Sequence, residues 1–340
     1  MSRRFALRAL MLCAGLASAT LSSWAQPAEN WPTRPVKLVV PFPAGGASDL
    51  IGRIMAEELT KALGQPVVVD NRAGAGGAIG TTFVAKAPAD GYTLLLSGIG
   101  TNAVNHAFND RIGYDSVKDF VHITQAVEGP TVLVANTAYP ARTLQELVAD
   151  GKAHPSKLSY ALTPASSGHL AMEMLKQVAS ECPRGSAPSN CKPLFMVGIP
   201  YRGASPALTD VIGGQVPFMF VNQDTALPFV RSGKLRALAV SSLKRNPLYP
   251  DVPTVAESGY PGFSAVAWIG LSAPRAVPAP IVERIGSSLR RALNSPQVKE
   301  KLESTGYVVV ASEPAAYASL VESEIAKWTK LVAARGIKPE

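Results

Sequence analysis

The 340-residue sequence is poor in charge, with Asp, Glu, Lys and Arg together at 17%, and poor in aromatics, at 7%. Hydrophobic residues make up 47%, which excludes a disordered chain and supplies the core of two ordinary domains. Lys and Arg never gather into a long block. The net charge of +8 is therefore no nucleic-acid-binding stripe, and no nucleic-acid partner is expected. Arg3, Arg4 and Arg8 account for three of those charges, and no acid lies among the first 25 residues, so 8 less 3 leaves +5 for the remainder. That surplus, spread thinly, suits anionic ligands. Beyond the first 25 residues no apolar run approaches the ~18 residues needed to cross a bilayer.

Catalytic and metal-binding patterns are also missing. The segment Gly203-Ala-Ser205-Pro-Ala207 resembles a nucleophile elbow, but Ala207 stands where the sharp turn needs a second glycine. In Gly74-Ala-Gly-Gly-Ala-Ile-Gly80, Ile79 takes the place of the third glycine of a dinucleotide fingerprint, and no phosphate-loop lysine follows. His106, His122 and His154 have no His or Cys at metal-ligand spacing. Asp224 and Glu173 make an acid–base pair on paper only, because nothing in the sequence brings them together. No enzymatic activity, metal or cofactor is expected.

Cysteine is scarce, at three residues. Cys13 lies in a segment that reads as an export signal: the three arginines precede the apolar run Ala9 to Ala19, and Ser23-Trp24-Ala25 offers small residues for cleavage. A lipid anchor at Cys13 is the rival reading, against which stands Leu12 where lipoprotein processing wants a small residue. Cys182 and Cys191 remain, in a Pro/Gly/Ser-rich stretch, and in an oxidising compartment they are expected to pair. Such a short crosslink contributes about 2.5 kcal/mol by loop closure. Two free thiols or a metal site are the alternatives.

What is present is a repeated strand, loop, helix grammar. Val36 to Val40 is a short apolar strand running into Pro41-Phe-Pro-Ala-Gly-Gly46. Ile51, Met55, Leu59 and Leu63 then form one helical stripe, with Ser48 or Asp49 to cap its front and Gly64 to close it. Strands Val67 to Val69 and Tyr92 to Leu96 follow, each entering a glycine-containing loop. The pattern restarts at strand Leu158 to Leu162, loop Thr163-Pro-Ala-Ser-Ser-Gly168 and a helix carrying Leu170, Met174, Leu175 and Val178. Strands Val216 to Val221 and Leu235 to Val240 complete this second unit. The rhythm predicts two α/β lobes with mixed, largely parallel sheets. The C-terminal stripes Ile281, Ile285, Leu289, Leu293 and Tyr317, Val321, Ile325, Trp328, Val332 read as packing helices, opened by Pro280 and Pro296 in the first case and between the two.

In open α/β sheets ligands lie beyond the carboxyl ends of strands, where helix starts present free amides and a partial positive charge. Two loops fit that description. Phe42, Pro43, Ala44, Gly45 and Gly46 let backbone approach an anion, and Thr163 to His169 adds hydroxyl donors. Neither contains Arg or Lys, so a bound carboxylate would be held by amides, hydroxyls and water. The plain alternative is that such loops only turn the chain, and that His169 is a helix-start residue bonded to a nearby carbonyl.

Five segments stand out together: Trp31-Pro-Thr-Arg-Pro-Val-Lys-Leu-Val-Val-Pro-Phe-Pro-Ala-Gly-Gly46 with Asp49, Val69-Asp-Asn-Arg-Ala-Gly-Ala-Gly-Gly77, Pro88-Ala-Asp-Gly-Tyr-Thr-Leu-Leu95, Pro200-Tyr-Arg-Gly203 with Pro206-Ala-Leu, and Asp251-Val-Pro-Thr254 through Pro261-Gly-Phe263. Jointly they resemble the Bug-type solute-binding proteins of tripartite tricarboxylate transporters. The resemblance implies a type II periplasmic-binding fold, two α/β lobes joined by two crossover strands and closing on a ligand. It places a signal peptide at 1–25, lobe 1 at 26–130 and again at 244–340, and lobe 2 at 131–243. It further implies a monomeric periplasmic receptor for a small carboxylate (a di- or tricarboxylate, an acidic amino acid or an aromatic acid) that delivers to membrane transporter subunits. A membrane sensor is the alternative partner, and a Ser/His hydrolase the remaining rival.

Carried over by position, the ligand contacts are Phe42, Pro43, Ala44, Gly45, Gly46 and Asp49; Ser97 and Thr101; Thr163, Ala165, Ser166, Ser167 and His169; and Asp224, with Asn222 and Trp268 as weaker candidates. Three departures from the family pattern bear on the ligand: Pro217 after the Gly-Gln-Val run, the Pro-Ala-Ser-Ser form of the second-lobe loop, and the Cys182 to Cys191 excursion.

Overall fold

The computed structural model describes residues 30–108, 112–164, 166–180 and 192–335. The export segment, Ala165 and the pair Cys182 and Cys191 lie outside the described residues.

The first unit forms as its periodicity predicts. Strand β1 (Val36–Val40) runs into the helix Ala47–Leu63, whose stripe Ile51, Met55, Leu59 and Leu63 is buried and which ends on Gly64 at φ 72. Only glycine adopts that left-handed conformation without Cβ strain. β2 (Val67–Asn71) and β3 (Thr93–Gly98) both lie parallel to β1, with Leu38 beside Val69 on one side and Leu94 on the other. Strands covered by helices on their faces become continuous apolar runs. Leu38, Val40, Leu94 and Leu96 share one buried cluster with Ile51, Met55, Leu59 and the helix residues Ile285 and Leu289. Each such side chain contributes about 1.5–3 kcal/mol by leaving water.

The strand that organises the rest is β4 (Phe120–Asn136), 17 residues long. From Phe120 to Pro130 it pairs antiparallel with β9 (Val266–Pro274), which in turn pairs with β3, and its Val127 and Glu128 pair with β10 (Val308–Val309). From Thr131 onward it lies between β7 (Phe218–Asn222) and β8 (Leu235–Val240). One continuous strand thus crosses from the first sheet into the second. Pro130 marks the changeover: a residue with no N–H is tolerated where the ladder exchanges partners. Alongside runs the parallel pair β5 (Ser159–Leu162) and β6 (Val197–Pro200). The sheets are mixed, and every antiparallel pair involves β4 or β9.

A second core gathers Leu133, Ala135, Tyr160, Leu162, Met172, Leu175, Phe218 and Phe220. Where the chain returns, a polar knot ties the passes together. Thr131 N–H donates to Ser241 Oγ (2.8 Å) and Ser241 N–H to the Thr131 carbonyl (2.9 Å), while Ser241 Oγ donates to the Ala265 carbonyl (2.7 Å). The C-terminal stripe lies on the helix Pro314–Arg335, with Tyr317, Val321 and Trp328 at 1% exposure or less. Pro280 and Pro296 occupy the first turns of the helices Ala279–Leu293 and Pro296–Glu303.

Candidate functional site

The predicted loops follow the carboxyl ends of β1 and β3 in the first lobe and of β5 and β7 in the second. Phe42 is half-buried, and Pro43, Ala44 and Gly45 are exposed. Gly46 is the N-cap of Ala47–Leu63 and brings no side-chain cap. The helix itself offers no acceptor to the N–H groups of its first turn, so they are open to an oxyanion.

Neither Ser48 nor Asp49 caps this helix as anticipated. The buried Asp49 carboxylate faces back into the loop, accepting from Gly45 N–H (3.0 Å), Arg53 Nε (2.9 Å) and Asn71 Nδ2 (3.0 Å), and Asn71 Nδ2 also reaches the Phe42 carbonyl (3.1 Å). Burial works against its charge, but the bonds from Arg53, Gly45 and Asn71 outweigh burial and hold the carboxyl below its ordinary pKa. Asp49 shapes the loop.

The glycine-rich segment after β2 fits under this loop. A Cβ on Gly80 would lie 2.7 Å from the Arg72 carbonyl and 3.1 Å from Pro41 Cα, and one on Gly77 would lie 2.5 Å from Thr101 Cγ2. Those glycines serve close packing of three loops, which is a different job from cradling a dinucleotide.

Ser97 and Thr101 are inside. Ser97 Oγ is shared between Tyr317 Oη (2.9 Å) and Ser272 Oγ (2.8 Å), and Ser272 meets His122 Nδ1 (2.9 Å). Thr101 Oγ1 donates to Asn102 Oδ1 (2.8 Å), and its carbonyl accepts from Tyr114 Oη. Both hydroxyls are therefore spent on the protein. The neighbouring Asn102, not singled out in the sequence, is different: Oδ1 accepts from Gly98 N–H and Thr101 Oγ1, while the buried Nδ2 has no partner among the described residues.

In the second lobe the loop after β5 is tied by Ser166 N–H to the Thr163 carbonyl (3.1 Å), His169 N–H to Ser166 Oγ (3.2 Å) and Ser167 Oγ to Asn222 Oδ1 (2.8 Å). A Cβ on Gly168 would sit 2.2 Å from the Phe220 carbonyl, so only glycine lets the helix Ser167–Ser180 start against β7. Among the described residues Thr163 Oγ1 and His169 Nδ1 have no partner. The carbonyl contact anticipated for His169 is thus not made by Nδ1. Its ring stacks on Phe108 of the first lobe, with centroids 5.6 Å apart and planes at 12°. Burial pushes its pKa down, with Glu173 opposing and Lys176 adding to the effect. Among the described residues no bond joins the His169 ring to Ser166 or Ser205.

Asp224 lies in the first turn of the helix Gln223–Arg231 and is half-buried. Burial raises its pKa to about 6, against the backbone N–H groups of Asp224 and Thr225 and the hydroxyl of Tyr307, whose Oη lies 3.4 Å from Oδ1. Tyr307 comes from the returning part of the first lobe. It carried no sequence signal, because its proximity to residue 224 exists only in the fold. Glu173 is bound to Tyr160 Oη and Lys176 Nζ (both 2.6 Å), so the pair considered with Asp224 is not formed.

A cavity of about 310 Å³ opens elsewhere, between Val117, Val121, His122, Arg275 and the start of Pro314–Arg335, and includes none of these loops. Among the described residues no three His, Cys, Asp or Glu side chains come within metal-binding reach, and no helix is long and apolar enough to cross a membrane.

Two α/β lobes with mixed sheets, joined through the long strand β4, place the fold in the type II binding-protein class. Comparison narrows it. The family described as tripartite tricarboxylate transporter family receptor matches residues 51–337. Protein BugT of Bordetella pertussis is 38% identical over 313 residues, 92% of each chain. A solved Rhodopseudomonas palustris protein with adipate is 33% identical with a TM-score of 0.84, over 92% of this chain and 100% of that one. MatC from the same organism, with bound malate, is 34% identical with a TM-score of 0.79, over 89% and 100%. The chain belongs to the tripartite tricarboxylate transporter receptor family.

Proposed function

We propose that the chain captures a small organic acid between its lobes and delivers it to the membrane subunits of a tripartite tricarboxylate-type transporter. The observation that carries this reading is the set of unpaired polar groups at the helix starts beyond β1, β3 and β5. The first-turn amides at Gly46 lack a side-chain cap, and among the described residues Asn102 Nδ2, Thr163 Oγ1 and His169 Nδ1 are buried without partners. Buried donors left unpaired cost about 1–3 kcal/mol each, a cost that an oxyanion between the lobes removes. The relatives solved with adipate and malate support a carboxylate.

The boundaries at residues 130/131 and 243/244 are proposed as the passages between lobes, supported by the partner exchange at Pro130 and the Thr131–Ser241 knot. The chain is further proposed to be a periplasmic monomer, exported by its first 25 residues, with the direct contacts drawn from Phe42 to Gly46, Thr163 to His169 and Asp224. In that compartment Cys182 and Cys191 form a disulfide. Mass spectrometry after alkylation without reductant tests the bridge, and two alkylated cysteines would remove it.

The function is tested by a thermal-shift screen of the purified chain against mono-, di- and tricarboxylates, amino acids, aromatic acids and sugar phosphates. A ligand at 100 times its Kd stabilises the native state by about 2.7 kcal/mol. A rise in melting temperature with an organic acid is expected; a rise with sugar phosphates alone would refute the reading.

A further inference from the structure

The positive surplus of the sequence is not shared evenly between the lobes. Residues 131–243 carry ten Lys and Arg against six Asp and Glu, a surplus of four, so most of the +5 left beyond residue 25 falls on the second lobe. Topology then gathers it at one end. β4 leaves the crossover and ends at Asn136, and the antiparallel strands β7 and β8 begin there, with Phe218 beside Ala135 and Leu235 beside Asn136. β5 begins at the same end, because Ser167, beyond its other end, bonds to Asn222 at the close of β7. β6 lies parallel to β5 and starts beside it, with Val197 opposite Ser159. The chain leading into and out of these strand ends forms a pole, and the loops proposed to hold the ligand lie at the opposite ends of the same strands.

Five exposed cations stand on that pole: Arg142 after β4, Lys157 before β5, Lys192 before β6, and Arg231 and Lys234 before β8. Among the described residues none of the five has an ion pair; the cations of this lobe that have one are Lys176, with Glu173, and His154, with Asp150. Arg236 donates to the carbonyls of Thr137, Tyr139 and Ala141, which folds the segment before Arg142 against the start of β8. The two acids nearby are engaged. Glu146 accepts from Arg142 N–H (2.6 Å), and Asp150 holds Tyr139 Oη (2.6 Å) and His154 Nδ1 (2.8 Å). Phe195 and Val197, where β6 starts, are 50% and 40% exposed on the same pole.

Unpaired cations on four separate segments suit many mobile anions better than one shaped ligand. Protein–protein interfaces are depleted in Lys, whereas Lys and Arg around an exposed aromatic are the composition of surfaces that lie on anionic bilayers. We propose that this pole of the second lobe rests on an anionic phospholipid surface, its cations meeting headgroup phosphates and Phe195 entering the headgroup layer. A chain held in this way keeps its ligand loops turned away from the membrane.

Co-sedimentation of the whole purified chain with vesicles tests this. Attachment is expected at low salt to phosphatidylcholine vesicles containing about one quarter phosphatidylglycerol, and not to pure phosphatidylcholine. Salt at about 0.5 M releases the chain, because the Debye length shrinks to a few Å. Each Lys or Arg near such a surface strengthens attachment about fivefold, so Arg231→Gln together with Lys234→Gln weakens it about 25-fold. Arg291→Gln together with Lys330→Gln, two exposed cations of the first lobe, leaves it unchanged, and melting curves verify that both variants are folded. No attachment to the anionic vesicles, equal attachment to the neutral ones, or equal affinity of the two variants overturns the proposal. Retention on immobilised polyglutamate without attachment to vesicles also overturns it and assigns the pole to an acidic protein.

Discussion

Two groups shielded from water, the buried His122 and the half-buried Asp224, bias the stability of this fold in opposite directions over the same pH range. His122 is 6% exposed, with Nδ1 against Ser272 Oγ and Nε2 against the Ser116 carbonyl. Burial lowers its pKa to about 4, opposed by the Ser116 carbonyl and aided by the Arg275 charge. The unfolded chain, with an ordinary histidine at 6.5, takes up the proton first as pH falls. His122 therefore gives full stability above pH 6.5 and loses it down to pH 4, by about 3 kcal/mol at about 1.4 kcal/mol per pKa unit. Asp224 runs the other way. Its pKa is raised from 3.8 to about 6 by burial, so the native state holds the proton more tightly. Its contribution is full below pH 3.8 and lost as pH rises to 6, again by about 3 kcal/mol.

Between pH 4 and 6 the two nearly cancel, and each is exposed by deleting the other. Urea unfolding at a series of pH values reads this directly, since the midpoint times the slope gives the free energy. Relative to the parent chain, Asp224→Asn loses about 2 kcal/mol between pH 6 and 4, and His122→Gln gains about 2 kcal/mol over the same interval. Carboxylates held below their ordinary pKa, such as Asp49, Asp70 and Asp115, act in all three proteins and drop out of the differences. An Asp224→Asn profile parallel to that of the parent chain would refute the reasoning.

Replacing Asp49 with Asn keeps its size but removes the charge that holds Gly45, Arg53 and Asn71. It is expected to cost about 1–2 kcal/mol in urea unfolding and to weaken acid binding by titration calorimetry. Unchanged affinity would show that loop shape is set elsewhere. Gly168→Ala drives a Cβ toward the Phe220 carbonyl, 2.2 Å away before relaxation, and is expected to lower stability by about 1–3 kcal/mol. A thermal melt identical to that of the parent chain would contradict the close approach.

The parts of this fold that could be read from sequence are those whose causes are local. The stripe of Ile51, Met55, Leu59 and Leu63, the stop at Gly64 and the prolines opening the C-terminal helices each act within a turn or two of chain, and each element formed as expected. β4 was illegible for the opposite reason. Covered on both faces, it has no alternation, and Gly129-Pro130 at its centre imitates a break while marking a change of partner. The site divides along the same line. Glycines showed where backbone turns beyond β1 and β5, but the use of each polar group was decided by distant residues. Tyr317 and Ser272 occupy Ser97, and Asn71, 22 positions away, takes up Asp49. Asn102 stayed silent because lacking a partner among the described residues is a property of the assembled fold, invisible in any short window. A receptor cleft is defined by the hydrogen bonds its own chain fails to make, and ligand identity is accordingly written in the leftovers of tertiary packing.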